Sequence, residues 1–141
     1  MIELIRIKNF KSLSEVSLVL DKFNCLIGMN GAGKSTILQA LDFLSQMMLG
    51  LVQEWLDTRG WKSHDLNCKL SKESNLTFGV KYKTSTGQEL HWVGIFNRVN
   101  LRCTSEAISV DSEKIFHASG QSFQFKGKPK QDISFVFQGS L

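Results

Sequence analysis

The sequence predicts an α/β (α+β) fold: a strand–loop–helix unit joined to an antiparallel β-meander. Three observations carry that expectation. Apolar and polar residues alternate through residues 2–20, the spacing of half-buried strands. A glycine-rich loop at 28–33 then gives way to an apolar stripe of helical period. After Ser74 the alternation returns in short runs separated by turn residues.

Taken in order, "IELIRIKNF" sets Ile2, Leu4, Ile5 and Ile7 among polar residues, and "SEVSLVLDK" does the same with Val16, Leu18 and Leu20. "FNCLIG" is a short apolar run ending in glycine, which predicts a buried central strand. From Ser35, the residues Ile37, Leu41, Leu44, Met48, Leu51 and Trp55 recur at three- and four-residue steps. They predict a helix to Gly50 and a second helical piece through Leu56, with Trp55 and Trp61 packing the helix end against the sheet. "DTRGWKSHDLNCKL" reads as an irregular loop with a glycine break. "NLTFGVKYKT", "ELHWVGIFNR", "LRCTSEAISV", "EKIFHA" and "SFQFKG" are the strands of the meander, with Trp92 in a cross-strand pair. The expected organisation is one lobe over 1–141: strands, loop and helix in 1–60, a connecting loop in 61–74, and an antiparallel β subdomain in 75–141.

At 141 residues the chain matches one domain with room for a core, and 42% hydrophobic against 21% charged residues is a soluble balance. No apolar run approaches the roughly 20 residues that cross a bilayer. "MIELIRIKNFKS" is too charged for a secretory signal, so a cytoplasmic location and no membrane partner are expected. Cys25, Cys68 and Cys103 are odd in number and lack metal spacing, which favours reduced structural thiols. A net charge of +4 suits a protein that holds phosphate, and permits contact with nucleic acid.

The chemistry concentrates in "GMNGAGKST", residues 28–36. Gly28, Gly33, Lys34 and Ser35 fill G-x-x-x-x-G-K-[ST], between an apolar run and an amphipathic helix. Glycines at 28, 31 and 33, with the small Ala32, let the backbone close around an anion, and the amides of the first helical turn point at it. Lys34 is placed to neutralise the β- and γ-phosphates, Ser35 to ligate Mg²⁺, and Thr36 to contact the α-phosphate. ATP and Mg²⁺ are the expected ligands.

"LIRIKNFKSL" followed by "GMNGAGKSTILQALDFL" resembles the N-terminal signature of ABC-type ATPases of the SMC and RecF class, in which an "xIxNFKS" strand precedes "GxNGxGKSxxLxAL". "RGW" is similar to a segment of bacterial ATPases akin to the OLD family. The match covers residues 2–60. The resemblance implies that Asn9, Phe10, Lys11 and Ser12 form a turn near the base and ribose, with Lys11 contacting ribose or phosphate; a solvated turn lysine is the other possibility. It implies that Asn30 touches the γ-phosphate or its attacking water. It implies that Gln138, in "ISFVFQGSL", reaches Mg²⁺ and that water, unless it simply ends a strand.

Hydrolysis also requires a strand-end carboxylate for Mg²⁺ and a glutamate for water. Asp21 precedes the loop and is followed by Lys22, so it does not qualify. "HASGQSF" mimics an LSGGQ signature but continues as an alternating strand, and "DTRG" mimics a GTPase element without its supporting strand. His64, His91 and His117 lack acid–base partners at recognisable spacing, and "KGKPK" is a solvated basic turn or a DNA contact. The expectation is therefore the ATP-binding N-terminal part of a longer head that dimerises head to head and serves DNA repair, chromosome maintenance or defence against foreign DNA. DNA and an effector nuclease are candidate partners. The intact protein is expected to be an ATPase, and this chain alone to hydrolyse little. The alternatives are a non-catalytic nucleotide-dependent interaction module, or another P-loop phosphotransferase or GTPase.

Overall fold

Period-two alternation becomes strand wherever a neighbouring run can complete the hydrogen-bond ladder, and seven of the chain's runs find that neighbour in order of sequence or nearly so. The computed structural model describes residues 1–132 of the chain. The strands are β1 (Ile2–Phe10), β2 (Leu13–Val19), β3 (Asn75–Lys83), β4 (Glu89–Asn97), β5 (Arg102–Val110), β6 (Glu113–Ser119), β7 (Ser122–Phe125) and the two-residue β8 (Gln131–Asp132). They form one sheet in the order β2-β1-β3-β4-β5-β6-β7-β8, each neighbour antiparallel. Helices α1 (Lys34–Leu49) and α2 (Val52–Arg59) and a 3₁₀ turn at Ser63–Asp65 fill the connection between β2 and β3.

Register puts the apolar residues of neighbouring strands opposite one another. Ile5 faces Val80, Val80 faces Trp92, Trp92 faces Ile108 and Ile108 faces Phe116. One row along, Ile7 faces Phe78 and Phe78 faces Gly94. A Cβ on Gly94 would stand 2.4 Å from the Trp92 ring, so the indole lies where only glycine leaves room. Its N–H donates to Glu106 Oε1 at 2.8 Å, which satisfies the one polar atom of the ring.

Helix α1 buries Ala40, Phe43, Leu44 and Met47 against the sheet. Phe43 is the hub: its ring centroid lies 5.4 Å from Phe10, 5.5 Å from Phe78, 5.2 Å from Phe96 and 5.5 Å from Trp55. Aromatic contacts at these distances join α1, α2, β1, β3 and β4 in a single core. Trp55 packs there as its place at the helix end predicts.

Two expectations are corrected. Helix α2 continues three residues past Leu56, because Arg59 is anchored to α1 through Asp42, and it ends at Gly60. "FNCLIG" is not a buried central strand: it carries no regular secondary structure, and Phe23, Ile27 and Met29 are 85%, 90% and 85% exposed. The physical reason lies in the sheet order. Strand β2 is its edge, the last ladder-like bond runs from Leu20 N–H to Glu3 O, and no described strand flanks residues 23–28.

A buried polar residue with left-handed backbone stands at the end of β1, next to the tight turn into β2. Asn9 has φ 63° and is 2% exposed. Its side-chain amide donates to Glu73 O at 3.0 Å and Asn75 O at 2.9 Å, while its Oδ1 accepts from Cys68 N–H at 3.0 Å. Asparagine tolerates the left-handed region better than most side chains. We expect Asn9→Ala to lower unfolding free energy by about 2–4 kcal/mol, from three hydrogen bonds worth about 1 kcal/mol each and the added backbone strain. Urea denaturation at neutral pH checks this; a loss under about 1 kcal/mol would show that the turn is held by other contacts.

Candidate functional site

The loop between residues 28 and 33 turns back on itself: Ala32 N–H donates to Met29 O at 3.2 Å, and Gly31 and Gly33 both have φ 85°. That conformation is strained for any residue with a Cβ, which explains the glycines at these two places. Helix α1 starts at once, with Gly33 as its cap, no side-chain cap bond and no acidic residue in its first turn. The first-turn amides are left without side-chain acceptors at the positive end of the helix, the arrangement that favours an anion. The Lys34 ammonium folds over the loop and donates to Gly28 O at 2.6 Å and Met29 O at 2.7 Å. Ser35 and Asn30 are exposed beside it, and Thr36 is half-buried.

The β1–β2 turn delivers a second set of groups to the same helix. Lys11 has φ 50°, and its N–H donates to Leu66 O at 2.8 Å, which docks the turn on the segment after α2. Ser12 Oγ donates to Thr36 Oγ1 at 3.1 Å, and Lys11 Nζ donates to Gln39 Oε1 at 3.1 Å. Residues 11 and 12 thus stand beside the first two turns of α1. Asn9 and Phe10 do not: Asn9 is consumed by backbone groups, and Phe10 is fully buried in the core. Of the four residues expected to form the turn, Asn9 and Phe10 anchor it, and Lys11 and Ser12 are the two that stand beside α1.

Next to Lys11 and Ser12 lies an open cavity of about 560 Å³, walled also by Trp61, Asp65, Asn67 and Lys69. Lys11 Nζ sits 3.0 Å above the centre of the Trp61 ring, a cation–π contact. Burial pushes the Lys11 pKa down, Asp65 opposes that shift, and Arg59 reinforces it. The Asp65 carboxyl is held below its ordinary value, chiefly by the Lys62 backbone N–H at 2.8 Å. Neither Trp61 nor Asp65 is conspicuous in the sequence as a site residue; the signal available was an aromatic residue directly after the helix-ending Arg59-Gly60.

Behind the cavity, Asp42 of α1 accepts the Trp55 indole N–H at 2.7 Å and pairs with Arg59 at 2.5 Å. The Arg59 guanidinium lies 4.8 Å from the Trp55 ring and 5.3 Å from the Trp61 ring. Among the described residues no group of three or more His, Cys, Asp and Glu could hold a metal ion. Ser35 is the expected Mg²⁺ ligand that falls within them, and its exposed hydroxyl at the start of α1 fits a cation that keeps water and phosphate oxygens as its other ligands. Gln138, the expected catalytic and second metal-binding residue, lies outside the described residues. "HASGQSF" is the β6–β7 hairpin, with Gly120 at φ 63° in its turn. Lys126 pairs with Glu113, and Lys128 and Lys130 are exposed.

A model of the AAA ATPase domain matches residues 1–136. The chain belongs to that family. The OLD nuclease of Thermus scotoductus is 41% identical to it over 44 residues, which is 31% of this chain and 8% of the nuclease. Two solved structures share the fold. An SMC ATPase, studied for ATP-driven dimerization and DNA-stimulated activation, aligns with a TM-score of 0.56 at 21% identity, over 80% of this chain and 70% of that one. The recombination mediator RecF bound to ATP aligns with a TM-score of 0.53 at 23% identity, over 81% of this chain and 28% of that one. This AAA ATPase domain thus spans a small part of the nuclease and about a quarter of RecF. The resemblance to the SMC, RecF and OLD-like class is borne out, and so is the P-loop fold with its antiparallel meander. No described helix is long and apolar enough to cross a membrane.

The Asp42 cluster gives the domain a defined acid response. Its carboxyl is held below the ordinary value by the Trp55 N–H above all; burial opposes this as the next effect, and Arg59 and Gln46 each add a smaller lowering. A depressed folded pKa contributes stability that is full above the unfolded value, about 4, and is lost as pH falls through the folded value. Asp42→Asn is expected to be less stable than wild type at pH 7, with the gap closing between about pH 5 and pH 2. Thermal melts across that range check it; a gap independent of pH would remove the carboxylate from the account.

Proposed function

We propose that this AAA ATPase domain binds Mg-ATP and forms the N-terminal lobe, residues 1–141, of an ATPase head. The observation that carries the proposal is Lys34, whose ammonium hangs over a left-handed glycine loop at an uncapped helix start. Its two carbonyl partners are neutral acceptors, and a triphosphate offers anionic oxygens in the same place, so exchange favours the ligand. Gly28, Asn30, Gly31, Ala32 and Gly33 then supply the cradle. Ser35 holds Mg²⁺ together with phosphate oxygens and water, Thr36 contacts the α-phosphate, and Lys11 and Ser12 approach the ribose side.

Among the described residues no group of three or more His, Cys, Asp and Glu could hold a metal ion, so the carboxylate for Mg²⁺ and the glutamate for water are assigned in this proposal to other parts of the protein. Hydrolysis in this proposal uses residues from elsewhere in the protein, with Gln138 contributing to Mg²⁺ and the attacking water. The family match and the ATP-bound RecF neighbour support ATP as ligand. The SMC and OLD neighbours support a cytoplasmic protein that dimerises head to head on ATP and acts on DNA, in repair, chromosome maintenance or defence, with a nuclease as its effector.

Lys34→Ala is expected to weaken ATP binding at least 100-fold by calorimetry without lowering the melting temperature, since among the described residues the side chain bonds only to its own loop. Unchanged affinity would overturn the assignment. The purified 141-residue chain is expected to release little or no phosphate from ATP, and sustained turnover by it would show that the carboxylates are not supplied from elsewhere.

A further inference from the structure

We propose that Trp61 is a stacking platform for the nucleotide base, and that Lys11 occupies the platform until the base displaces it. This rests on the nucleotide reading above and adds to it the residue that holds the base. Three observations support it. The cavity lined by Trp61 adjoins the start of α1 through Ser12, which lines it and donates to Thr36 in the first turn of the helix. A ligand anchored at Lys34 and Thr36 therefore has its sugar and base directed toward a space of about 560 Å³, a size ordinary for small-molecule sites.

The ring is held in a fixed orientation. Trp61 meets Trp55 edge-on, with centroids 5.3 Å apart at 82°, and its backbone N–H donates to Leu56 O at 3.0 Å. Trp55 is itself pinned by the indole bond to Asp42. A preset aromatic face loses little entropy when a base stacks on it.

The present occupant of that face is replaceable. Lys11 Nζ makes one hydrogen bond, to Gln39, besides its contact with the ring, and burial already disfavours its charge. A base presents a π face to the same indole, and the displaced ammonium gains the ribose and polyphosphate oxygens that arrive with it. Loss of one cation–π contact is thus matched by a stacking contact and an ion pair. Asp65 and Asn67 stand at the cavity wall, where they can meet the edge of the base.

The test compares ATP with inorganic tripolyphosphate, which carries the same phosphates and no base, by calorimetry on wild type, Trp61→Ala and Trp61→Phe. For Trp61→Ala we expect ATP affinity to fall at least tenfold while tripolyphosphate affinity stays within twofold of wild type. Trp61→Phe, which keeps an aromatic face, should recover ATP binding to within about threefold. Wild type should also show quenching of tryptophan fluorescence on adding ATP but not tripolyphosphate, with the quenching lost in Trp61→Phe. Equal ATP affinity in wild type and Trp61→Ala overturns the platform and leaves the phosphate site standing. A parallel loss of both ligands in Trp61→Ala, with Trp61→Phe failing to rescue, also overturns it, by showing that Trp61 acts through packing. Failure of wild type to bind tripolyphosphate would overturn the nucleotide reading itself.

Discussion

The site depends on one left-handed asparagine. Asn9 sits one residue before the end of β1, in a left-handed conformation, and uses its side-chain bonding on Cys68, Glu73 and Asn75. Those partners lie on the segment that follows Trp61 and Asp65 and leads into β3. Together with the Lys11 N–H bond to Leu66 O, Asn9 fixes the turn against the loop after α2, beside the cavity. Phe10, next in sequence, locks the turn from below by packing on Phe43 and Phe78. Only then do Lys11 and Ser12 come to stand beside α1.

The antiparallel meander was legible because it follows from local alternation, whereas the pairing of β1 with β3 across both helices has no local signal. Each run of the meander contains its own period-two pattern, and antiparallel neighbours in sequence need only a turn to meet. The glycine loop and the helix start after it were legible for a different reason: they are written in one contiguous string of residues. Trp61 was read as a packing residue because its partner Lys11 is 50 positions away, and no periodicity links them. The family pattern marked residues 9–12 as a turn, and a pattern of residue types does not separate the residues that build a turn, Asn9 and Phe10, from those it presents, Lys11 and Ser12.

The failure of "FNCLIG" is equally physical. An apolar run predicts burial only if something covers it, and coverage is a property of the whole assembly. Within the described residues the sheet ends at β2, so Phe23, Ile27 and Met29 face outward next to the loop they lead into. The upstream side of the loop is held by a small local turn, in which Asn24 donates to Asp21 O at 2.8 Å and accepts from Asp21 N–H at 3.0 Å. The downstream side is held by all of α1.

That asymmetry bears on affinity. A triphosphate gains most from amides already aimed at it, and any ordering of the upstream segment on binding subtracts from that gain. The Gly33 side requires no such ordering, since Ile37 N–H already closes the first helical bond to Gly33 O at 2.9 Å. A partner strand laid along residues 23–28 would cover Phe23 and Ile27 and complete the ladder there, removing the cost from the binding step. Covering the apolar run and tightening the phosphate loop are then the same event, because the run that needs a neighbour ends in Gly28, the first glycine of the loop.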